Sequence, residues 1–232
     1  MMKKRNEKYR GWVVKVKRPE EIYKDPSLYY TEEMIEKYAR SKAMKRAQEK
    51  IAHRTVELLD LEKGKILDLG CGVGYTTAVY KLYGYDAVGI DVIPKMLEKA
   101  REKGLKVMLG DMRNLQKLFK KESFDAVVSA SALQWLKEKE DIEKAALGIN
   151  YVLKKDGKVV IQFYPKSEKE MMIVAKIFKK NGFKVNIIID NPKNPKKRTI
   201  YLVMYKNIVS NRFHFFSFQF QKFFLFKGFA FL

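Results

Sequence analysis

Lys65-Ile66-Leu67-Asp68-Leu69-Gly70-Cys71-Gly72-Val73-Gly74 is an apolar run that stops abruptly in three glycines spaced two apart. The run reads as a strand, the glycines as a tight turn, and Tyr75 to Tyr83 as a helix whose positive N-terminal end faces the turn. Glycines let backbone amides approach a ligand closely, so a polar ligand is expected there. A phosphate-binding dinucleotide site is the first candidate, but its fingerprint is G-x-G-x-x-G, and here the order is G-C-G-V-G with Asp68 ahead of it. An acid beside the glycines suits a cation better than a pyrophosphate. A second apolar run, Ala87-Val88-Gly89-Ile90, ends in Asp91, about 20 residues past the glycines, where a strand-end carboxylate can grip two ribose hydroxyls.

Two further runs extend the pattern. Leu105 to Leu109 closes on Gly110-Asp111-Met112, and Phe124-Asp125-Ala126-Val127-Val128-Ser129 supplies a fourth strand. A purely structural strand-to-helix turn of some other α/β protein explains the glycines but not the second and third acids. D-x-G-x-G-x-G followed by Asp91 resembles the S-adenosylmethionine (SAM) site of class I methyltransferases. The resemblance implies SAM as cofactor, with Asp68, Gly70, Cys71, Gly72, Gly74, Asp91 and Ser129 around it and Asp111 and Met112 at the adenine.

The remaining punctuation fits an α/β domain with helices on both faces of the sheet. Thr31 to Leu61 has a helical pattern with Thr31 as N-cap, giving one or two helices ahead of the first strand; Tyr30, Tyr38 and Arg40 are candidates to face the ligand. Gly84, Pro94 and Gly104 bound the next helices, a short helix is expected near Asn114 to Lys121, and Asp141 to Leu153 reads as another. Gly157 turns into a fifth parallel strand, Lys158 to Tyr164, and Ser167 with Glu170 forms a capping box for a helix to Lys180. Phe183 to Asp190 and Ile200 to Tyr205 complete seven strands. Their connection is too short for a right-handed crossover, so the last strand should be antiparallel in a Rossmann-like, mostly parallel sheet. That connection, Asn191 to Arg198, is basic, and it turns at the edge where open α/β sheets bind ligands. Lys193, Lys196, Lys197 and Arg198 are therefore candidate phosphate contacts.

Three regions follow: a basic segment 1–30, of which Met1 to Pro19 has no assigned site, the domain 31–206, and the tail 207–232. The tail holds 10 of the 15 phenylalanines. Its polar interruptions make a poor membrane span, and it reads as a partner-binding strand, an interfacial anchor or sequence appended to a finished domain. The length supports one substantial core. A net charge of +21 favours a polyanionic partner such as nucleic acid, although 38 of the 48 basic residues are lysine, a composition that hyperthermophile surfaces share. The single cysteine, Cys71, excludes an internal disulfide and a cysteine-rich zinc site within the chain; no metal is expected and a reducing cytoplasm fits. No apolar region follows the basic N-terminus, so no secretory signal is expected.

The acceptor chemistry should sit at Ser129-Ala130-Ser131-Ala132-Leu133-Gln134-Trp135, after the fourth strand. The Asn/Asp-Pro-Pro-aromatic motif of amino-group methyltransferases is absent, and Cys71 is committed to the turn rather than to carbon-5 chemistry. Transfer to an atom that is already nucleophilic, such as a guanine ring nitrogen, needs no general base; alignment and desolvation suffice. Trp135 or Tyr164 can stack on a flipped base.

Lys37-Tyr38-x-Arg40 with Met44 and Gln48, Ile66 to Gly72, Gly110-Asp111-Met112, Ser131 to Trp135, Gln162-Phe163-Tyr164-Pro165 and Asp190 to Tyr201 resemble the eukaryotic small-subunit (18S) rRNA guanine-N(7) methyltransferase family across residues 18–206. The resemblance implies an enzyme of ribosome biogenesis that modifies small-subunit rRNA, with Gln134, Trp135, Tyr164 and Arg40 shaping the base pocket. It also implies a small zinc-binding activator protein, for which the edge strand 105–109 is a suitable dock. The Phe-rich tail replaces the basic C-terminal extension of the eukaryotic members, and the lysine-rich composition points to an archaeal relative. Two other functions share these features: a small-molecule SAM-dependent methyltransferase, and an RNA-binding ribosome-assembly factor whose catalysis is secondary.

Overall fold

The computed structural model describes residues 17–23, 25–195 and 197–207. The N-terminal arm, Lys196 and the Phe-rich tail lie outside them. In chain order the described elements are α1 Pro19–Ile22, α2 Pro26–Tyr29, α3 Glu32–Arg40, α4 Lys42–Leu59, β1 Lys65–Leu69, α5 Tyr75–Leu82, β2 Asp86–Asp91, α6 Pro94–Arg101 and β3 Lys106–Leu109. They continue with α7 Leu115–Leu118, β4 Phe124–Ala130, α8 Lys139–Val152, β5 Leu153–Phe163, α9 Glu168–Lys180, β6 Phe183–Asp190 and β7 Thr199–Lys206. The helix starts follow local chemistry: the Thr31 hydroxyl accepts from Met34 N–H, Ser41 from Met44 N–H and Ser167 from Glu170 N–H.

The seven strands lie in the order β3-β2-β1-β4-β5-β7-β6. β1 to β5 pair in parallel, and β7 inserts antiparallel between β5 and β6. Both faces are covered, which is why the strands read as continuous apolar runs. Alternate residues divide between the faces: Leu67, Leu69, Val127 and Ile161 pack under α8 and α9, while Ile66, Ala126, Val128 and Val160 pack under α4 and α5. The order reverses between β1 and β4, so their carboxyl ends diverge and leave a crevice there. No helix of the described residues is long and apolar enough to cross a membrane.

One boundary departs from the sequence reading. β5 begins at Leu153 rather than Lys158, because Leu153 pairs with Phe124 before the register jumps to Ala126 with Lys158. Lys154–Asp156 bulge into solvent, and Gly157 tucks so closely under Leu153 that a β-carbon would sit 2.9 Å from the Asp125 carbonyl oxygen.

Gly89, mid-strand in β2, is held by packing. A β-carbon there would meet Cys71 Sγ at 2.7 Å and Cys71 Cβ at 2.8 Å. Gly89→Ala should therefore cost about 1–3 kcal/mol in urea unfolding, with recovery on combining it with Cys71→Gly. Wild-type stability in the single variant would show that the turn after β1 does not rest on β2.

Candidate active site

The turn after β1 is stapled to the end of β2. Gly70 N–H and Cys71 N–H both donate to the Ile90 carbonyl, at 2.9 and 3.0 Å, and Gly72 N–H donates to Asp91 Oδ2 at 2.8 Å. Asp91 Oδ1 accepts from Ile93 N–H at 3.0 Å. Burial raises the Asp91 carboxyl pKa, and these amide donors oppose the rise. Gly70 and Gly72 have φ of +70° and +53°, the left-handed region that glycine enters without strain.

In front of this turn lies a cavity of about 1360 Å³. Of the sequence candidates, Tyr30, Tyr38, Gly70, Cys71, Gly72, Asp91, Asp111, Met112, Gln134, Trp135 and Tyr164 line it. That volume exceeds the roughly 300–1,000 Å³ of an ordinary small-molecule site, so a nucleoside cofactor and an acceptor base fit together. The fit to SAM rests on two features of the wall: an Asp91 carboxylate held at the strand end, and glycines that bring the backbone to the surface.

Its far wall is a strap of which sequence reading gave a role to Tyr30 alone. Residues 17–23 and 25–30 lie along the mouth, pinned by Arg18 donating to the Tyr164 carbonyl, by Lys166 against Glu21 at 3.5 Å and by Lys137 donating to the Tyr23 carbonyl at 2.5 Å. Tyr29 and Tyr30 approach Trp135 at 6.1 and 5.8 Å between ring centroids, and Tyr38, which stacks on Tyr75 at 5.9 Å, continues the aromatic wall. Burial pushes the Tyr38 hydroxyl pKa to about 12 and raises that of Tyr30 as well, so both stay protonated donors. Tyr30 and Tyr38 were sequence candidates, whereas Tyr29, beside Tyr30 and between two helix starts, has no periodicity to betray it.

The acceptor end is a neutral hydrogen-bonded network. Ser131 has φ +57°, unusual for a residue with a β-carbon, and its hydroxyl donates to Gln162 Oε1 at 2.9 Å while Gln48 Nε2 approaches it at 3.5 Å. Gln134 Nε2 donates to the Ser131 carbonyl at 3.0 Å, and its Oε1 is buried without a partner among the described residues.

Several sequence candidates fall elsewhere. Asp68 is buried behind the turn, where Oδ2 accepts from the Thr76 and Thr77 hydroxyls at 2.7 Å, so it ties β1 to α5 and does not line the cavity. Gly74 caps α5 with φ +82°, and a β-carbon would sit 2.4 Å from Leu105 Cδ1, which makes it a packing glycine. Ser129 spends its hydroxyl on the Leu69 carbonyl at 2.9 Å, between β4 and β1. Arg40 points outward, its side chain 83% exposed and paired with Glu36 at 3.5 Å, because the α3 face toward the cavity carries Met34, Lys37 and Tyr38 instead. Asp111 lines the cavity, but both its oxygens accept from Arg113; burial pulls its carboxyl pKa up and the guanidinium overrides this, holding it below the usual range. The β6–β7 connection leaves the carboxyl edge of the sheet, with Lys193 and Lys197 exposed and Arg198 donating to the Pro192 carbonyl at 2.9 Å. None of its described residues lines the cavity.

Asp68 sets a pH dependence. Burial raises its carboxyl pKa from 3.8 to about 6 against the two threonine donors. The folded state thus binds the proton more tightly, and stability from this group is full below pH 3.8 and lost as pH rises through about 6. Asp68→Asn should flatten the fall in unfolding free energy over that window; an unchanged profile would locate the titration elsewhere.

A family described as "Methyltransferase domain" matches residues 67–161. The 18S rRNA (guanine-N(7))-methyltransferase of Bos taurus is 34% identical over 202 residues, covering 82% of this chain and 71% of the bovine protein. That of Schizosaccharomyces pombe is 32% identical, covering 81% of this chain and 74% of the yeast protein. A solved SAM-dependent methyltransferase from Archaeoglobus fulgidus shares the fold, with a TM-score of 0.56 at 16% identity over 70% of this chain and 94% of that one. By identity and by the length it spans, this chain belongs to the 18S rRNA (guanine-N(7))-methyltransferase family of SAM-dependent methyltransferases.

Proposed function

We propose that the chain methylates N7 of a guanine in small-subunit rRNA during ribosome biogenesis, in the cytoplasm. The observation that carries this reading is the acceptor end of the cavity: aromatic rings beside Ser131 to Trp135, a stretch with no titratable side chain. Guanine N7 carries a lone pair and no proton, so no general base is called for. When bound, SAM supplies an electrophilic methyl group on a positively charged sulfur.

The chain's part is to hold and align. Asp91 accepts from the cofactor ribose, and Gly70 to Gly72 offer backbone at the crevice. Met112 packs at the adenine, and Asp111, already ion-paired, orders the turn there. Trp135 and Tyr164 stack on the base while the strap excludes water. Several kcal/mol of barrier lowering is within reach of such alignment at about 3 Å. The net charge of +21 supports a polyanionic substrate, with Lys193, Lys196, Lys197 and Arg198 at backbone phosphates.

Labelled methyl transfer to purified small ribosomal subunits, followed by nucleoside digestion, tests the reading. Label is expected in 7-methylguanosine and lost in Asp91→Ala. Label in a cell-extract metabolite and none in RNA would overturn it in favour of a small-molecule acceptor.

A small zinc-binding activator belongs to the same proposal. β3 is the outer strand, paired with β2 on one side, and Leu109 is 55% exposed. An added strand would cover that edge. Lys106→Pro should weaken co-purification at least tenfold, with Lys106→Ala controlling for the lost ion pair to Asp86. Equal recovery of the activator with all three forms would exclude the β3 edge.

A further inference from the structure

Beside the start of α4 is a second cleft, about 270 Å³, lined by Arg40, Lys42, Lys45 and Lys103. Ser41 and Tyr75 line both this cleft and the main cavity, so the two lie on either side of one wall. The lining contains a single carboxylate, Glu49, which pairs with Lys45 at 3.7 Å. Arg40 meets Glu36 at 3.5 Å on its outer side, and no carboxylate partner of Lys42 is found among the described residues. This differs from the α3–α6 contact nearby, where Lys95 and Lys99 are neutralised by Glu32 and Glu36 at 3.0 and 2.7 Å. Lys103 is braced, with its ammonium donating to the Val73 carbonyl at 2.7 Å and the Lys99 carbonyl at 3.0 Å and lying 5.4 Å from the centre of the Tyr75 ring. Burial holds its pKa below the ordinary lysine value; the Glu102 carboxylate opposes this fall and Lys99 and Lys45 add to it.

We propose that this cleft grips a backbone phosphate of the substrate RNA beside the nucleotide whose base enters the main cavity. It rests on the RNA reading above and adds where the strand is held. The volume is ample for one phosphate, and the lysine and arginine lining suits an anion. The positive end of α4 adds to the side-chain charge. Lys42, Arg46 and Lys50 recur every four residues on the exposed side of α4, about 6 Å apart along the helix, and carry the next phosphates away from the cleft.

The test compares Lys42→Ser/Lys45→Ser with Lys42→Arg/Lys45→Arg and wild type, reading anisotropy of a fluorescein-labelled small-subunit rRNA fragment across a salt series and SAM affinity by calorimetry. The serine variant should bind RNA on the order of tenfold more weakly, with the salt slope reduced by about 1.4, unchanged SAM affinity and recovery in the arginine variant. Unchanged RNA affinity and slope, in a protein whose wild type methylates RNA, overturns the proposal. So does loss of activator binding with RNA binding intact, which would assign the cleft to an acidic protein surface. A wild type that neither binds nor methylates RNA overturns the substrate reading itself.

Discussion

The Ile90 carbonyl accepts two amides from the glycine turn, and the Asp91 carboxylate next to it accepts a third. Everything at the site depends on that staple. It fixes the turn after β1 against β2, which sets where α5 begins and keeps Asp91 at the mouth of the crevice with 9% exposure. It also explains why Gly89 must be glycine: the turn is drawn so close to β2 that Cys71 occupies the space of a side chain.

The parallel core was legible because β1, β4 and β5 are buried on both faces and write short apolar runs, and because the runs of β1, β2 and β3 end in glycine or an acid. Around Ile66-Leu67 and Val127-Val128 the shortness of the run, the flanking turn residues and the β-branched side chains favour a strand. The antiparallel last strand followed from the length of its connection alone. The start of β5 was hidden because Lys154 to Asp156 look like a loop, and only the Leu153–Phe124 pairing makes them part of a bulged strand.

The site was legible where backbone chemistry demanded a residue type and hidden where position along an element decided the outcome. Gly70, Gly72 and Asp91 face the cavity because the turn requires them there. Asp68 lies two residues before Gly70 and Ser129 two before Ser131, but the pleat turns their side chains away from the cavity, toward the Thr76 and Thr77 hydroxyls and the Leu69 carbonyl. Arg40 is one helical position from facing in, which its sequence neighbours could not reveal. The strap was invisible for another reason: Arg18, Glu21 and Tyr29 work through contacts with loops more than a hundred residues away.

Those long-range contacts add a further wall to an open α/β crevice. The glycine turn, a generic feature of the fold, holds one end; the strap, Ser131 with its strained backbone, and the three linked amide and hydroxyl side chains define the other. A crystal structure with S-adenosylhomocysteine bound tests this division most directly. The expected result places the ribose hydroxyls on Asp91, the adenine beside Met112 and the sulfur facing Trp135 and Tyr164 under the strap. A ribose away from Asp91, or a ligand outside this cavity, would contradict it.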